Sequence, residues 1–194
     1  METLTLRDRQ RLETRQRILV AACGLFGREG VSAIRTQDVA VAARVSHGSI
    51  FAHFRTRDAL IAAVIEEVVV NAANQARHEL KVARSTKAVL HAHLRALAEH
   101  EGVYANIVAE RRALPADVQA RLVEINSGVA TYLLECLRRE AGGAALKVEP
   151  HFAFNTWLAL VHYYLLNRDL FAPGRSVLVE RADELVSNYL AMMR

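Results

Sequence analysis

Residues 36–60 read TQDVAVAARVSHGSIFAHFRTRDAL, and this stretch decides the fold. It parses as two short helices joined by a tight turn, with a third helix starting just beyond. Thr36 is placed to cap the first helix, since a threonine hydroxyl accepts from a free backbone N–H in the first turn. Val39, Ala40 and Ala43 then share one face at helical spacing. The turn centres on Arg44 and Val45. Ser46 is a second N-cap, opening a short helix with Ile50 and Phe54 inward and His47, Ser49 and His53 on or near its outer side. Thr56 caps the third helix, with Asp58 at its positive end. This arrangement is a helix-turn-helix. Such a unit lays its second helix in the major groove of DNA, where side chains reach base edges.

Upstream, Leu12, Ile18-Leu19, Ala22 and Leu25-Phe26 form one apolar stripe on a helix that Gly27 to Gly30 should end. That helix would cover the helix-turn-helix from behind and complete a three-helix head. Met1 to about Arg11 reads as a basic, frayed arm.

Charge separates the head from the rest. Residues 1–57 hold ten arginines and five acids (Glu2, Asp8, Glu13, Glu29, Asp38), so +5. The chain has 25 basic and 21 acidic residues in all, which leaves 15 and 16, or −1, for the remainder. A basic head on a neutral body is the distribution of a polyanion binder.

The matching residues carry a family resemblance. Thr14-Arg15, Ile18-Leu19, Ala21-Ala22, Leu25-Phe26 and Gly30 stand in register with Thr36, Val39-Ala40, Ala43, Val45-Ser46, Gly48, Phe51, His53-Phe54, Arg57 and Leu60. From Thr14 to Leu60 the chain resembles the tetracycline-repressor (TetR) family of bacterial transcription regulators. The string VSHGSIFAHF, in register with TRQRILVAACGLF, carries most of the specificity. Two positions depart from the pattern. Arg44 stands where the family usually has glycine, which tolerates positive φ without cost. Phe51 stands where the family usually has a tyrosine whose hydroxyl reaches a DNA phosphate, so that contact should be missing.

The resemblance implies a DNA-facing set of Thr36, Gln37, Arg44, Ser46, His47, Gly48, Ser49, Phe51, His53, Phe54 and Arg57. His47 and Ser49 are the candidates for base contact. Thr36, His53 and Arg57 are the candidates for phosphate. It also implies a division into a DNA-binding domain over 12–72 and an effector-binding and dimerisation domain over 73–194.

The 194 residues suffice for a real core, and 52% hydrophobic residues exclude disorder. Few aromatics, three prolines and no sustained alternation read as an all-α chain of about nine helices. A long helix runs from Arg57 to about Ala83, the natural lever between head and body. Ser85 caps a fifth helix to Glu101, Gly102 should break it, and Val103 to Leu114 follows as a sixth. Pro115 opens a seventh to about Ala141, AGGAALKVE is a loop, and Pro150 opens an eighth. A ninth follows the PGRS turn with Leu178, Leu185 and Tyr189 in register. The last two helices carry more apolar surface than one body needs, which points to a subunit interface; in the resembled family this is a four-helix bundle across a two-fold axis.

Cys23 and Cys136 sit among apolar residues and read as core side chains. The chain opens without a signal peptide, and Ala59–Val70 is too short an apolar run to span a bilayer. A cytoplasmic protein is the expectation. His93 and His100 stand about 10.5 Å apart at helical rise, too far to share one metal ion, so no metal is expected. No phosphate loop, nucleophile elbow or Cys-x-x-Cys occurs, so neither enzyme activity nor a cofactor is expected.

The resemblance places an effector pocket among helices four to eight. Its candidate lining is His93, His100, Tyr104, Asn126, Tyr132, Trp157 and His162, suited to a small organic molecule. The reading is a ligand-responsive repressor, binding a palindromic double-stranded operator as a homodimer, with a helical carrier or enzyme lacking DNA function as the alternative.

Overall fold

The computed structural model describes residues 5–142 and 148–193, with the side chains at 69, 70, 73, 75, 77, 78 and 125 outside that description. The start of the basic arm and most of the expected loop at 141–149 therefore lie outside the described residues. Every regular element among the described residues is helical. In chain order these are α1 (Leu6–Glu29), α2 (Thr36–Ala43), α3 (His47–His53), α4 (Arg57–Val82), α5 (Thr86–Ala98) and α6 (Glu101–Ala109). A 3-10 turn at Arg111–Ala113 follows, then α7 (Ala116–Glu140), α8 (Pro150–Leu166), α9 (Arg168–Phe171), α10 (Val177–Glu180) and α11 (Ala182–Met193). The all-α class and nine long helices match the sequence reading.

Several boundaries differ from that reading, each for a local reason. The basic arm is helical from Leu6, because Thr5 and Asp8 form a reciprocal capping box. Leu12 is 54% exposed and lies outside the core stripe, which begins at Ile18. The α2 cap is Arg35, whose N–H donates to Asp38 Oδ2 at 2.9 Å. Thr36 is the first helical residue instead. Ser46, Thr56 and Ser85 cap as the sequence implies.

Gly102 does not break a helix. The break falls at Glu99–His100, and Gly102 lies in the first turn of α6 where α6 crosses α1. A Cβ on Gly102 would stand 2.8 Å from the Gly27 carbonyl oxygen, so the two backbones meet because Gly102 has no side chain. The expected ninth helix is split into α10 and α11 at Arg181, and α9 precedes it.

Two apolar clusters organise the chain. The first joins Ile18, Leu19, Ala22 and Phe26 of α1 to Val39, Ala40, Ile50 and Phe54 of the helix-turn-helix, with Leu60 to Val68 of α4. It also takes Val103 and Ile107 of α6 and Val118 and Leu122 of α7. The second surrounds Trp157 and Tyr189, both fully buried, with Leu90, Leu94 and Leu133. Helix α4 serves both, through Leu60 to Val68 at one end and Ala76 and Leu80 at the other.

Candidate nucleic-acid interface and effector cavity

The turn between α2 and α3 is built by Arg44, in the left-handed region at φ 54° and ψ 50°. Its N–H donates to the Val41 carbonyl, and the Val45 N–H donates to the Ala40 carbonyl, which closes the end of α2. Arg44 is the one non-glycine residue with positive φ among the described residues. It occupies the place that favours glycine, and the conformation is kept.

From this turn α3 projects with a polar outer side. Ser46 Oγ accepts from the Ser49 N–H at 3.2 Å, and the two hydroxyls are 2.8 Å apart. His47 is held between two neighbours: its Nε2 lies 2.9 Å from Thr36 Oγ1, and its ring meets Phe51 edge-on at 5.1 Å. Gly48 is open, with nothing within 4 Å of where a Cβ would stand, so a nucleic-acid backbone can approach closely. Gln37, Arg44, Ser46 and His47 are accessible on this side, as is Phe51 at 45%. Phe51 packs on His47, and no ring contact joins it to Phe54.

Two of the expected DNA-facing residues make contacts within the head. Phe54 is 4% exposed and belongs to the head core, with the Arg15 guanidinium 5.2 Å above its ring. Arg57 spends its guanidinium on the loop before α2, donating from Nε to the Ile34 carbonyl and from Nη2 to the carbonyls of Val31 and Ser32. An N-terminal arginine on a helix looks like a phosphate contact in sequence. Here three carbonyls within reach claim it first.

The same loop is gripped from α6. Glu110 accepts from the N–H groups of Val31 at 3.0 Å and Ser32 at 2.7 Å. Asn106 Nδ2 donates to the Phe26 carbonyl at 2.6 Å. Nothing in the sequence signals these roles, since Glu110 reads only as part of a charged helix end. Neither Arg11 nor Arg15 is in the expected DNA-facing set. Both lie close enough to His53 to lower its pKa, after burial as the larger cause, and they add positive charge beside the recognition helix.

In the body an almost wholly apolar cavity of about 40 Å³ lies between α4, α5, α6 and α7. Its walls are Val68, Ala72, Ala76, His93, Ala96, Leu97, His100, Tyr104, Leu122, Asn126 and Val129. Four of the seven expected effector residues are there: His93, His100, Tyr104 and Asn126. Trp157 and His162 stand one layer behind. The Trp157 Nε1–H donates to His93 Nδ1 at 3.0 Å, and Tyr104 Oη lies 3.0 Å from His162 Nε2. Tyr132 packs against the second cluster, away from the cavity wall. The alanines and valines of α4 and α7 cannot be told from ordinary core in the sequence.

Burial sets the electrostatics of this layer. It pushes His93 down to about 4, with His162 adding to the effect. It also pushes His162 down to about 4, helped by the charge of Arg111. Burial raises the Tyr104 phenol, partly offset by Arg111. Both histidines are therefore neutral near pH 7. His100 borders the cavity and also an open groove lined by Arg28, Arg168 and Arg175, so it stands between the two.

The geometry is that of a helix-turn-helix protein with a separate internal void. Residues 18–64 match the model of the bacterial regulatory proteins, tetR family. An HTH-type transcriptional repressor of Mycobacterium tuberculosis is 36% identical over 73 residues, covering 35% of this chain and 39% of that one. The chain thus aligns with well under half the length of the curated relatives it matches. Among solved structures, the transcriptional regulator FadR from Bacillus subtilis, in complex with stearoyl-CoA, superposes with a TM-score of 0.74 at 15% identity. That match covers 92% of this chain and 99% of that one. The TetR family regulator PfmR from Thermus thermophilus gives 0.69 at 22% identity, covering 88% and 96%. These likenesses show the fold over nearly the whole length. The matched head carries the likeness to the tetR family, and beyond it these likenesses show the fold alone. No helix among the described residues is long and apolar enough to cross a membrane.

Proposed function

We propose that this chain is a ligand-responsive transcriptional repressor of the cytoplasm, with a DNA-binding domain over 12–72 and an effector and dimerisation domain over 73–194. The observation that carries the reading is the outer side of α3: Ser46, His47, Gly48 and Phe51 are accessible on a helix fixed by a left-handed turn, beside Arg11 and Arg15. His47 and Ser49 read bases, while Thr36 orients His47. Gln37, Arg44 and His53 face phosphates. The M. tuberculosis relative is named a repressor, and the FadR structure holds an acyl-CoA, which supports DNA release by a small effector.

Exposed apolar residues of α8 and α9 support a homodimer. Phe152, Tyr163, Leu166 and Leu170 are each more than half exposed on one protomer, an apolar surface of the kind that marks an interface. Leu185 of α11 is not part of it, being 1% exposed inside the protomer core. A two-fold dimer presents two copies of α3, so the operator is an inverted repeat with half-sites one or more helical turns apart. Gel retardation of the chain's own promoter fragment, followed by footprinting, tests this. A paired footprint is expected; a single unrepeated site, or no retardation, counts against it. Phe152→Glu with Leu166→Glu should give monomers by light scattering.

A further inference from the structure

The chemistry of the effector can be narrowed from the tautomer of one histidine. Tryptophan's indole nitrogen only donates, so His93 Nδ1, 3.0 Å from Trp157 Nε1, must be the acceptor. A neutral imidazole that accepts at Nδ1 carries its proton at Nε2. His93 is 4% exposed, and it lines the cavity. Among the described residues no group accepts from Nε2. Nor is Nε2 among the fully enclosed side-chain atoms left without a partner, where Thr86 Oγ1 stands alone. With Nδ1 engaged by Trp157, Nε2–H is the donor that His93 has left to offer the cavity it borders.

The remaining walls are mostly apolar. The Tyr104 hydroxyl is engaged by His162, Asn126 adds an amide and His100 an imidazole, and among the described residues no Asp, Glu, Lys or Arg lines the void. A buried ion with no partner is strongly unfavourable, whereas a neutral acceptor facing one N–H is satisfied. We propose that the cavity takes an uncharged, largely apolar molecule whose carbonyl-type oxygen accepts from His93 Nε2–H. This rests on the effector reading above and names the ligand's class. The void has room for about three waters, so it suits a compact carbonyl group, or the carbonyl end of a longer molecule.

Trp157 is the only tryptophan in the chain, so its indole N–H gives one resonance, and that proton points at the ring concerned. The experiment titrates the whole protein with acetone, isobutene, acetate and isopropylamine, which match one another in size, following that resonance by nitrogen–proton NMR. The ketone should shift it saturably and bind at least tenfold more tightly than either charged probe. It should also exceed the hydrocarbon by about tenfold, and His93→Phe should abolish that last preference while isobutene still binds. Should His93→Phe fail to fold, Asn126→Leu and wild type at pH 7 still compare the probes. Charged probes binding as well as the ketone, no binding of any probe, or a ketone preference that survives His93→Phe would each overturn the proposal. Promoter retardation by ligand-free protein tests the DNA reading separately, so either can fail without the other.

Discussion

The head and the body are both helical, but they are held in different ways. In the head, apolar packing is supplemented by polar and charged groups that grip backbone: Arg57 on three carbonyls, Glu110 on two N–H groups, Asn106 on the end of α1. All of them act on the stretch from Phe26 to Ile34. In the body a buried carboxylate also grips backbone, Glu101 on the N–H groups of Val177 and Leu178, but the polar groups beside the void are neutral pairs, Trp157 with His93 and Tyr104 with His162. A gripped loop fixes the angle at which α2 and α3 leave the core. A void lined by neutral pairs leaves room to rearrange. The two regions meet at Val68 and Leu122, which belong to the head cluster and also line the cavity. Val68 and Leu122 thus join the wall of the void to the core that carries α3.

The contrast predicts where large losses fall. Trp157 is fully buried, donates to His93 and stands edge-on to Tyr189 at 5.2 Å. Trp157→Ala should cost about 3–5 kcal/mol, because the void it leaves adds to the lost transfer energy. Calorimetric melting of the variant should show the loss in the body transition. A change below about 1 kcal/mol would mean that the body core collapses around the gap, contrary to the tight packing described.

Acid should separate the two regions next. His93 and His162 are depressed to about 4 in the folded body, against 6.5 in an unfolded chain. Between those values the unfolded state binds more protons, so stability falls as pH falls. The contribution is complete above pH 6.5 and is lost on the way to about pH 4, up to about 3 kcal/mol for each histidine. Urea unfolding followed by Trp157 fluorescence at pH 7 and pH 4.5 measures it. A double variant, His93→Gln with His162→Gln, should be less stable at pH 7 but should lose the slope. A slope unchanged in that variant would place the sensitivity elsewhere.

Arg57→Gln probes the head's grip. Hydrogen bonds from a charged donor contribute about 1.5–3 kcal/mol, so amides of the Val31–Ile34 loop should exchange faster by at least tenfold. Operator affinity should drop through misplacement of α2 and α3, with the salt dependence unchanged. If instead the salt slope falls by about one and exchange does not change, Arg57 is a phosphate contact after all.

The fold is legible in the sequence where local chemistry dominates. Ser46, Thr56 and Ser85 cap their helices because a hydroxyl beside free N–H groups has few better options. The apolar faces of α1 to α3 follow from spacing. What escapes is decided by contacts distant in the chain. The hold of Arg57 on the Val31 and Ile34 carbonyls escapes because nothing local shows that they lie within reach. Gly102 reads as a breaker because its close approach to Gly27 is tertiary. Leu185 reads as interface because periodicity marks a buried face without saying which side of a subunit boundary buries it. In the body His93, His100, Tyr104 and Asn126 stand around one void, which their helical spacing alone does not reveal. Trp157 and His162 belong one layer back, as partners of the lining groups, and only the folded chain separates the two layers.

The smallest effect concerns the turn. Arg44 holds a left-handed conformation that costs an ordinary L-residue about 1–2 kcal/mol, and glycine would relieve it. Glycine also frees the unfolded chain, which offsets about 0.4–1 kcal/mol of that gain. Arg44→Gly should therefore raise head stability by no more than about 1.6 kcal/mol. Its cost should appear in DNA binding instead. Arg44 is exposed at the hinge between α2 and α3, where a duplex backbone would pass. Loss of its charge should weaken operator and scrambled DNA alike and lower the salt slope by about one. Affinities for both DNAs at two salt concentrations, beside a melting curve, separate these contributions. Stability gained with both affinities unchanged would show that Arg44 is a strained turn residue without a phosphate beneath it. Affinity lost for the operator alone would show that the arginine helps to set the angle at which α3 reads bases.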